Sequence, residues 1–233
     1  FPADLRQRLT GARVTSLGRR AKYGLIDTDR GDTMIFHLGM SCRWRIDPSD
    51  LGKHDHLIVS TEQHRLALHD PRRFGFVHLV ESGQMGAYPP FMTLGPEPLG
   101  EGLTAAYLAD ALAGRVAPIK AMLLDQRIVA GLGNIYVCEA LNIAGIAPTR
   151  EAGRISKARL ARLVDAIQAV LHAAIAAGGS TLRDYARPDG ELGYFAKDWR
   201  VYGREGEACP CGGTVMRRID SGRSTFHCPR CQS

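Results

Sequence analysis

Four of the six cysteines fall in the last 25 residues, as Cys209-Pro-Cys211 and, after sixteen intervening residues, Cys228-Pro-Arg-Cys231. Two thiolate pairs separated by a loop of that length could close a tetrahedral four-sulfur zinc site at the base of a hairpin. The second pair has the usual two-residue spacer and the first only a proline, which tightens the turn that must aim both sulfurs at one ion. One zinc held this way would be structural, because four sulfurs leave no position open for water. Four reduced thiols in an unstructured tail are the alternative. Between the pairs, RRIDSGRSTFHC puts Arg223 near the tip of the expected hairpin, where a guanidinium could clamp a phosphate or enter a groove. A solvated turn arginine fits the same residues.

Other constellations lie upstream. In IVAGLGNIYVCEAL, Gly131 and Gly133 precede a helix that Asn134 could cap, and exposed N–H groups at such a start can hold a phosphate. An ordinary corner between two helices needs the same residues. HLGMS, with His37 and Met40, and DPRRFG, with Arg72, Arg73 and Phe74, set an apolar Met and Phe beside arginines at turns. Those types suit insertion into a base stack and support of an orphaned base, although Met40 and Phe74 taken singly also suit a core. KHDH, Lys53 to His56, is too compact for a closed metal site and reads as a phosphate contact or as turn polarity.

The elements that must position these residues follow from periodicity. VTSLGRRAKYGLIDT, TMIFHLGMSCRWRI, HLIVSTEQHRLALHD and RRFGFVHLV are rich in β-branched and aromatic residues and closely spaced, which predicts antiparallel strands from Val14 to Val80. Asp29 to Asp32 form the first hairpin turn, with Gly31 free to take a positive φ. The Pro- and Gly-dense YPPFMTLGPEPLGEG reads as a connector. Helical spacing then predicts helices over Leu103 to Ala113, Ile119 to Gln126, Asn134 to Ile143 and Ser156 to Ala177, with Ser156 as N-cap of the last. From about Trp199 the chain is too short and basic to fold without a staple.

Composition bounds the partners. Thirty Lys and Arg against 24 Asp and Glu give a net charge of +6, which suits a polyanion without requiring one. No apolar run approaches the roughly 20 residues of a membrane span. Clustered cysteines without a secretory signal argue for metal over disulfides and for a reducing compartment.

Taken in order, RRAKY at Arg19, HLGMS at His37, KHDH at Lys53, DPRRFG at Asp70, LGPEPL at Leu94, GLGNIYVCEAL at Gly131, GGSTLRDY at Gly178, GYF at Gly193 and GRSTFHC at Gly222 resemble bacterial formamidopyrimidine-DNA glycosylase across essentially the whole chain. The resemblance implies an α+β multidomain fold: an antiparallel β-sandwich over residues 1–97, truncated at its start, a helix-two-turn-helix domain over 98–198 and a zinc finger hairpin over 199–233, with DNA in the cleft between them. It implies a monomeric, cytoplasmic, nucleoid-associated base-excision repair enzyme with one structural zinc ion. Such an enzyme removes oxidised purines, 8-oxoguanine and formamidopyrimidines, from double-stranded DNA and cleaves the abasic strand by β,δ-elimination.

Residue by residue, the resemblance gives Lys22 to β-elimination and Arg223 to δ-elimination. It places His37, His54, Arg72 and Arg115 at DNA-contacting positions, Lys120 and Asn134 on phosphates, and Met40, Arg72 and Phe74 in the space left by a flipped nucleotide. GGSTLRDY to GYF resembles a loop that closes over that base. Three departures stand out: the short first cysteine spacer, Cys42 where the family usually has glycine, and a start at Phe1-Pro2-Ala3. The family begins with a proline nucleophile and a glutamate, so Pro2 is not expected to be that proline. The chain as given is expected to lack a few dozen residues, to bind DNA and to excise poorly. A non-catalytic protein that binds lesions or abasic sites is the alternative class, and a zinc-stapled nucleic-acid protein without lesion preference is a third.

Overall fold

The computed structural model describes residues 1–179 and 195–233. The expected closing loop, GGSTLRDY to GYF, falls mainly on residues 180–194 and lies outside the described residues. The chain divides into two compact units, Phe1–Met92 with Ala177–Ala196, and Thr93–Ala176 with Lys197–Ser233.

The first unit is a pair of antiparallel sheets. Strands β1 (Val14–Arg20), β2 (Tyr23–Thr28), β3 (Asp32–His37) and β7 (Phe76–Glu81) form a four-stranded sheet in the order β1-β2-β3-β7. Strands β4 (Arg43–Ile46), β5 (Asp55–Ser60) and β6 (Arg65–His69) form a second in the order β4-β6-β5. Met34, Leu68 and Val77 interdigitate between them with Phe36 set edge-on to Trp44 at 5.6 Å, so the alternating apolar residues of both sheets share one core. Gly24 lets β2 pass beneath Phe36, since a Cβ there would lie 2.0 Å from the ring. The β2–β3 turn falls where Gly31 was expected to make it, with φ +78°. A short helix α1 (Leu5–Leu9), not anticipated from sequence, buries Leu5 in this core and pairs Arg8 with Asp32.

The second unit packs α3 (Ala105–Leu112), α4 (Ile119–Leu124), α5 (Asn134–Ile143) and α6 (Lys157–Ala176) around Leu108, Ile119, Leu123, Leu141, Leu163 and Ile167. Each of these is at most 1% exposed, and burial of such a side chain contributes about 1.5–3 kcal/mol. Thr104 caps α3 by accepting the Tyr107 N–H. Helix α4 was expected to reach Gln126 but stops at Leu124, because Asp125 turns extended and its carboxylate takes the Arg127 N–H. Gln126 instead bonds Leu132 and Gly131 across the next turn. The Pro-rich connector is not featureless, since it carries a helical turn α2 (Pro89–Met92).

Strands β8 (Met216–Asp220) and β9 (Arg223–His227) form a hairpin within the same second unit. Its small core of Val201, Val215, Phe226, Cys209 and Cys228 includes Cys138 of α5. Among the described residues no helix is long and apolar enough to cross a membrane. The fold is α+β, with antiparallel sheets, a helical domain and a terminal hairpin bearing a cysteine cluster.

Candidate functional site

In the first unit, the β1–β2 turn runs through Ala21 at φ +52° and sets Lys22 next to the first residue of β2. Tyr23 pairs with His37 across the β2–β3 ladder, their rings 5.1 Å apart, and His37 stacks on Phe76 at 5.5 Å. Burial pushes the His37 imidazole below its ordinary value, and the charge of Lys22 adds to the shift. Its Nδ1 accepts the Gly39 N–H at 3.1 Å, so the neutral ring braces the loop that follows β3.

That loop and the one carrying Phe74 sit back to back. A Cβ on Gly39, which has φ +59°, would lie 2.8 Å from the Phe74 carbonyl oxygen. Met40 and Phe74 therefore project from adjoining turns, 72% and 54% exposed, and the Arg72 guanidinium lies 4.6 Å over the Phe74 ring. Arg73, between Arg72 and Phe74, takes φ +55°. Asp70 closes this turn by accepting the Gly75 N–H at 2.7 Å. Cys42 needs no glycine-like backbone, since it is absent from the positive-φ residues. Its buried thiol, pushed up to about 12 by desolvation, is an unreactive part of the core.

KHDH is a scaffold of hydrogen bonds. Asp55, its side chain 1% exposed, takes Arg45 at 2.9 Å, the Gly52 N–H at 2.8 Å and His69 at 3.0 Å. His69 in turn meets the His54 ring edge-on at 5.8 Å, and His56 bonds the Asp70 carbonyl at 3.0 Å. Desolvation and then Lys53 hold His54 below its ordinary value.

In the second unit, Lys120, Asn134 and Arg223 converge on β9. The hairpin turn passes through Ser221 at φ +49° and Gly222 at φ +75°, a pair of left-handed residues that matches the twist of the strands and presents Arg223 directly after it. Lys120 is 3% exposed, and its ammonium donates to Thr225 Oγ1 at 2.6 Å and to the Ser224 carbonyl at 3.2 Å. A lysine has three N–H donors, so one remains for a ligand. Burial pushes the Lys120 value down. Asn134 was expected to cap α5, but Gly133 occupies the cap position, and the Asn134 amide reaches instead to the Ser224 carbonyl at 2.9 Å and to the Tyr202 hydroxyl at 3.3 Å. A cavity of about 420 Å³ opens beside them, lined by Lys120, Asp125, Pro148, Asp220 and Arg223. Arg115 stands exposed in the loop after α3 and does not line this cavity.

The four cysteine sulfurs lie within 4.8 Å of one another, with Cys211 to Cys228 at 3.5 Å and Cys209 to Cys231 at 3.9 Å. A tetrahedron of thiolates at about 2.3 Å from zinc has edges of roughly 3.8 Å, so the cluster has the dimensions of a four-sulfur metal site. The one-residue spacer is accommodated by a tight turn in which Gly212 takes φ +78° and donates to the Cys209 carbonyl at 2.8 Å. The Gly213 N–H faces Cys211 Sγ at 3.4 Å and holds that thiol down to about 7. Among the described residues no other group of His, Cys, Asp or Glu has metal-binding geometry.

Sequence reasoning missed two residues. Glu139, 2% exposed, accepts the N–H groups of Arg200, Val201 and Tyr202 at 2.8, 3.0 and 2.8 Å and fastens α5 to the approach to the hairpin. Asn142 lies against the cysteine cluster. Their signal was two polar residues three apart on an otherwise apolar helix face.

Residues 1–77 match the formamidopyrimidine-DNA glycosylase N-terminal domain, and residues 94–186 match the formamidopyrimidine-DNA glycosylase H2TH domain. The formamidopyrimidine-DNA glycosylase of Rhizorhabdus wittichii is 73% identical over 233 residues, covering all of this chain and 86% of that protein. The chain belongs to the formamidopyrimidine-DNA glycosylase family. The relative from Novosphingobium aromaticivorans is 69% identical over the same span and share. Among solved structures, the MutM (Fpg) protein of Thermus thermophilus is 41% identical with a TM-score of 0.88, covering 95% of this chain and 84% of that one. Lactococcus lactis Fpg in complex with DNA containing an abasic site is 35% identical with a TM-score of 0.92, covering 99% and 86%. Members of this family are DNA glycosylases with abasic-site lyase activity, and this chain is a base-excision repair glycosylase of that class.

Proposed function

We propose that the protein removes oxidised purines, 8-oxoguanine and formamidopyrimidines, from duplex DNA and cuts the resulting abasic strand by β,δ-elimination. It acts as a monomer in the cytoplasm, at the nucleoid, with domains over residues 1–97, 98–198 and 199–233. The reading is carried by Met40 and Phe74, two exposed apolar side chains on abutting turns with Arg72 stacked on Phe74. A soluble protein gains nothing from displaying them together unless they enter an apolar environment, and a base stack opened by nucleotide extrusion is one. Arg72 then supports the orphaned base.

His37, His54 and Arg115 contact the DNA, Lys120 offers its remaining N–H beside the cavity to a phosphate of the damaged strand, and Asn134, whose side-chain N–H groups are already bonded, meets a phosphate through its backbone N–H at the start of α5. Lys22 serves the β-elimination step and Arg223, a permanent cation, serves the δ-elimination step. The four cysteines hold one zinc ion, whose chemistry is structural: it locks the base of β8–β9 and with it the turn that presents Arg223.

The test is incubation with a duplex carrying one 8-oxoguanine and with its undamaged counterpart, at one salt concentration because phosphate contacts make affinity strongly salt-dependent. Strand cutting at the lesion that leaves phosphates on both ends is the expected product. Tight binding to the damaged duplex without cutting would make the protein a lesion binder, and equal binding to both duplexes would refute damage recognition.

A further inference from the structure

The amide of Asn142 touches the metal-site sulfurs from outside the hairpin. It lies near the end of α5, 4% exposed, with Nδ2 3.6 Å from Cys231 Sγ and 3.9 Å from Cys209 Sγ. Which way the amide faces is settled by its neighbours. The Arg200 Nε–H, which can only donate, lies 3.1 Å from Asn142 Oδ1. Nδ2 must then point at the sulfurs and at Gln232 Oε1, 3.1 Å away. Gln232 Oε1 also accepts the Cys228 N–H at 2.8 Å, so its own Nε2 donates to the Ile146 carbonyl at 2.8 Å. From Arg200 through Asn142 and Gln232 to Ile146, each donor meets an acceptor, and reversing any one amide would break its neighbours.

We propose that Asn142 is a positioning residue of the metal centre, donating N–H to the sulfur pair Cys209 and Cys231, with Arg200 holding it in that orientation. The inference rests on the zinc reading above. Four thiolates around a divalent ion leave a net charge of −2, and N–H donors withdraw electron density from the sulfurs and stabilise that charge in a buried setting. The same helix carries Asn134 at its other end, bonded to the Ser224 carbonyl of β9. Helix α5 thus grips the hairpin at the metal and again near the Arg223 turn, so metal occupancy and the placement of Lys120 and Asn134 against β9 are mechanically linked.

Cobalt in place of zinc gives an optical readout of the sulfurs. The full-length protein, Asn142→Asp and Arg200→Met are loaded with Co²⁺, their thiolate-to-cobalt charge-transfer bands recorded, and the metal challenged with a chelator. Asn142→Asp keeps the shape but replaces the donor, and should move the band to lower energy and speed metal transfer about 10–100-fold. Arg200→Met keeps Asn142 but frees its amide, and should shift both in the same direction by less. A purely structural role would lower the melting temperature and leave the band where it is. The proposal is overturned if both variants keep the wild-type band and transfer rate, and Arg200→Met alone decides it should Asn142→Asp not fold. Failure of the wild-type protein to take up cobalt or zinc overturns the zinc reading itself.

Discussion

Replacing Glu139 with glutamine should detach the hairpin's approach from α5. The carboxylate accepts Val201 N–H and Tyr202 N–H on Oε1 and Arg200 N–H on Oε2, at 2.8 to 3.0 Å and almost out of water. Glutamine keeps one oxygen and turns the other into a donor. In its better orientation it still serves Val201 and Tyr202, but its NH₂ group then faces the Arg200 N–H. A buried donor without an acceptor costs about 1–3 kcal/mol, and the two surviving bonds each lose roughly 1 kcal/mol when the acceptor is no longer charged. The expected destabilisation is therefore about 3–5 kcal/mol, a large part of the roughly 5–15 kcal/mol that holds a typical domain. Urea unfolding measures the total. Amide hydrogen exchange at Arg200, Val201 and Tyr202 localises it, with rates rising on the order of 100-fold or more. A Glu139→Gln protein within about 0.5 kcal/mol of wild type, with those three amides still protected, would refute the clamp.

Phe74→Ala should weaken binding to an abasic-analogue duplex by about 1–3 kcal/mol in fluorescence anisotropy, as for loss of an aromatic that stacks on a base, while its exposure keeps the stability change within about 0.5 kcal/mol. Ser221→Pro should disorder the β8–β9 turn, because proline holds φ near about −65° where the turn needs +49°, and NMR of the β9 amides together with DNA affinity would register the loss of Arg223 presentation. Acid should act in two stages. His37 and His227 are held by burial below their ordinary 6.5, so as pH falls through that value the unfolded chain takes up their protons first and stability drops. Asp27, Asp125 and Asp220 sit below their ordinary 3.8, so the stability they contribute is present above that pH and lost below it. Melting temperatures that stay flat from about pH 7.5 to about pH 5 would contradict the histidine stage.

The amino-acid sequence by itself determined the strand-rich first part, the helical second part and the cysteine-bearing hairpin, because period and turn chemistry are local properties. Helix α5 begins and ends at Asn134 and Ile143 as the spacing predicts, and Gly31 makes the turn its type allows. The order of motifs sufficed to suggest the family. Only the tertiary structure decided how distant polar groups are spent. Asn134 is a good helix cap by type, yet β9 lies close enough to draw its amide to Ser224. The resemblance puts Lys120 on a phosphate, yet Thr225, more than a hundred residues along the chain, accepts one of its N–H bonds in a buried setting. The one-residue cysteine spacer demands a tight turn, and the left-handed residue Gly212 supplies it where the four sulfurs meet. Glu139, inside the GLGNIYVCEAL block, and Asn142, just after it, show only as polar residues on an apolar helix face. Their roles come from backbone N–H groups and thiols that folding alone brings alongside α5, and no local pattern records which acceptor a buried donor will meet.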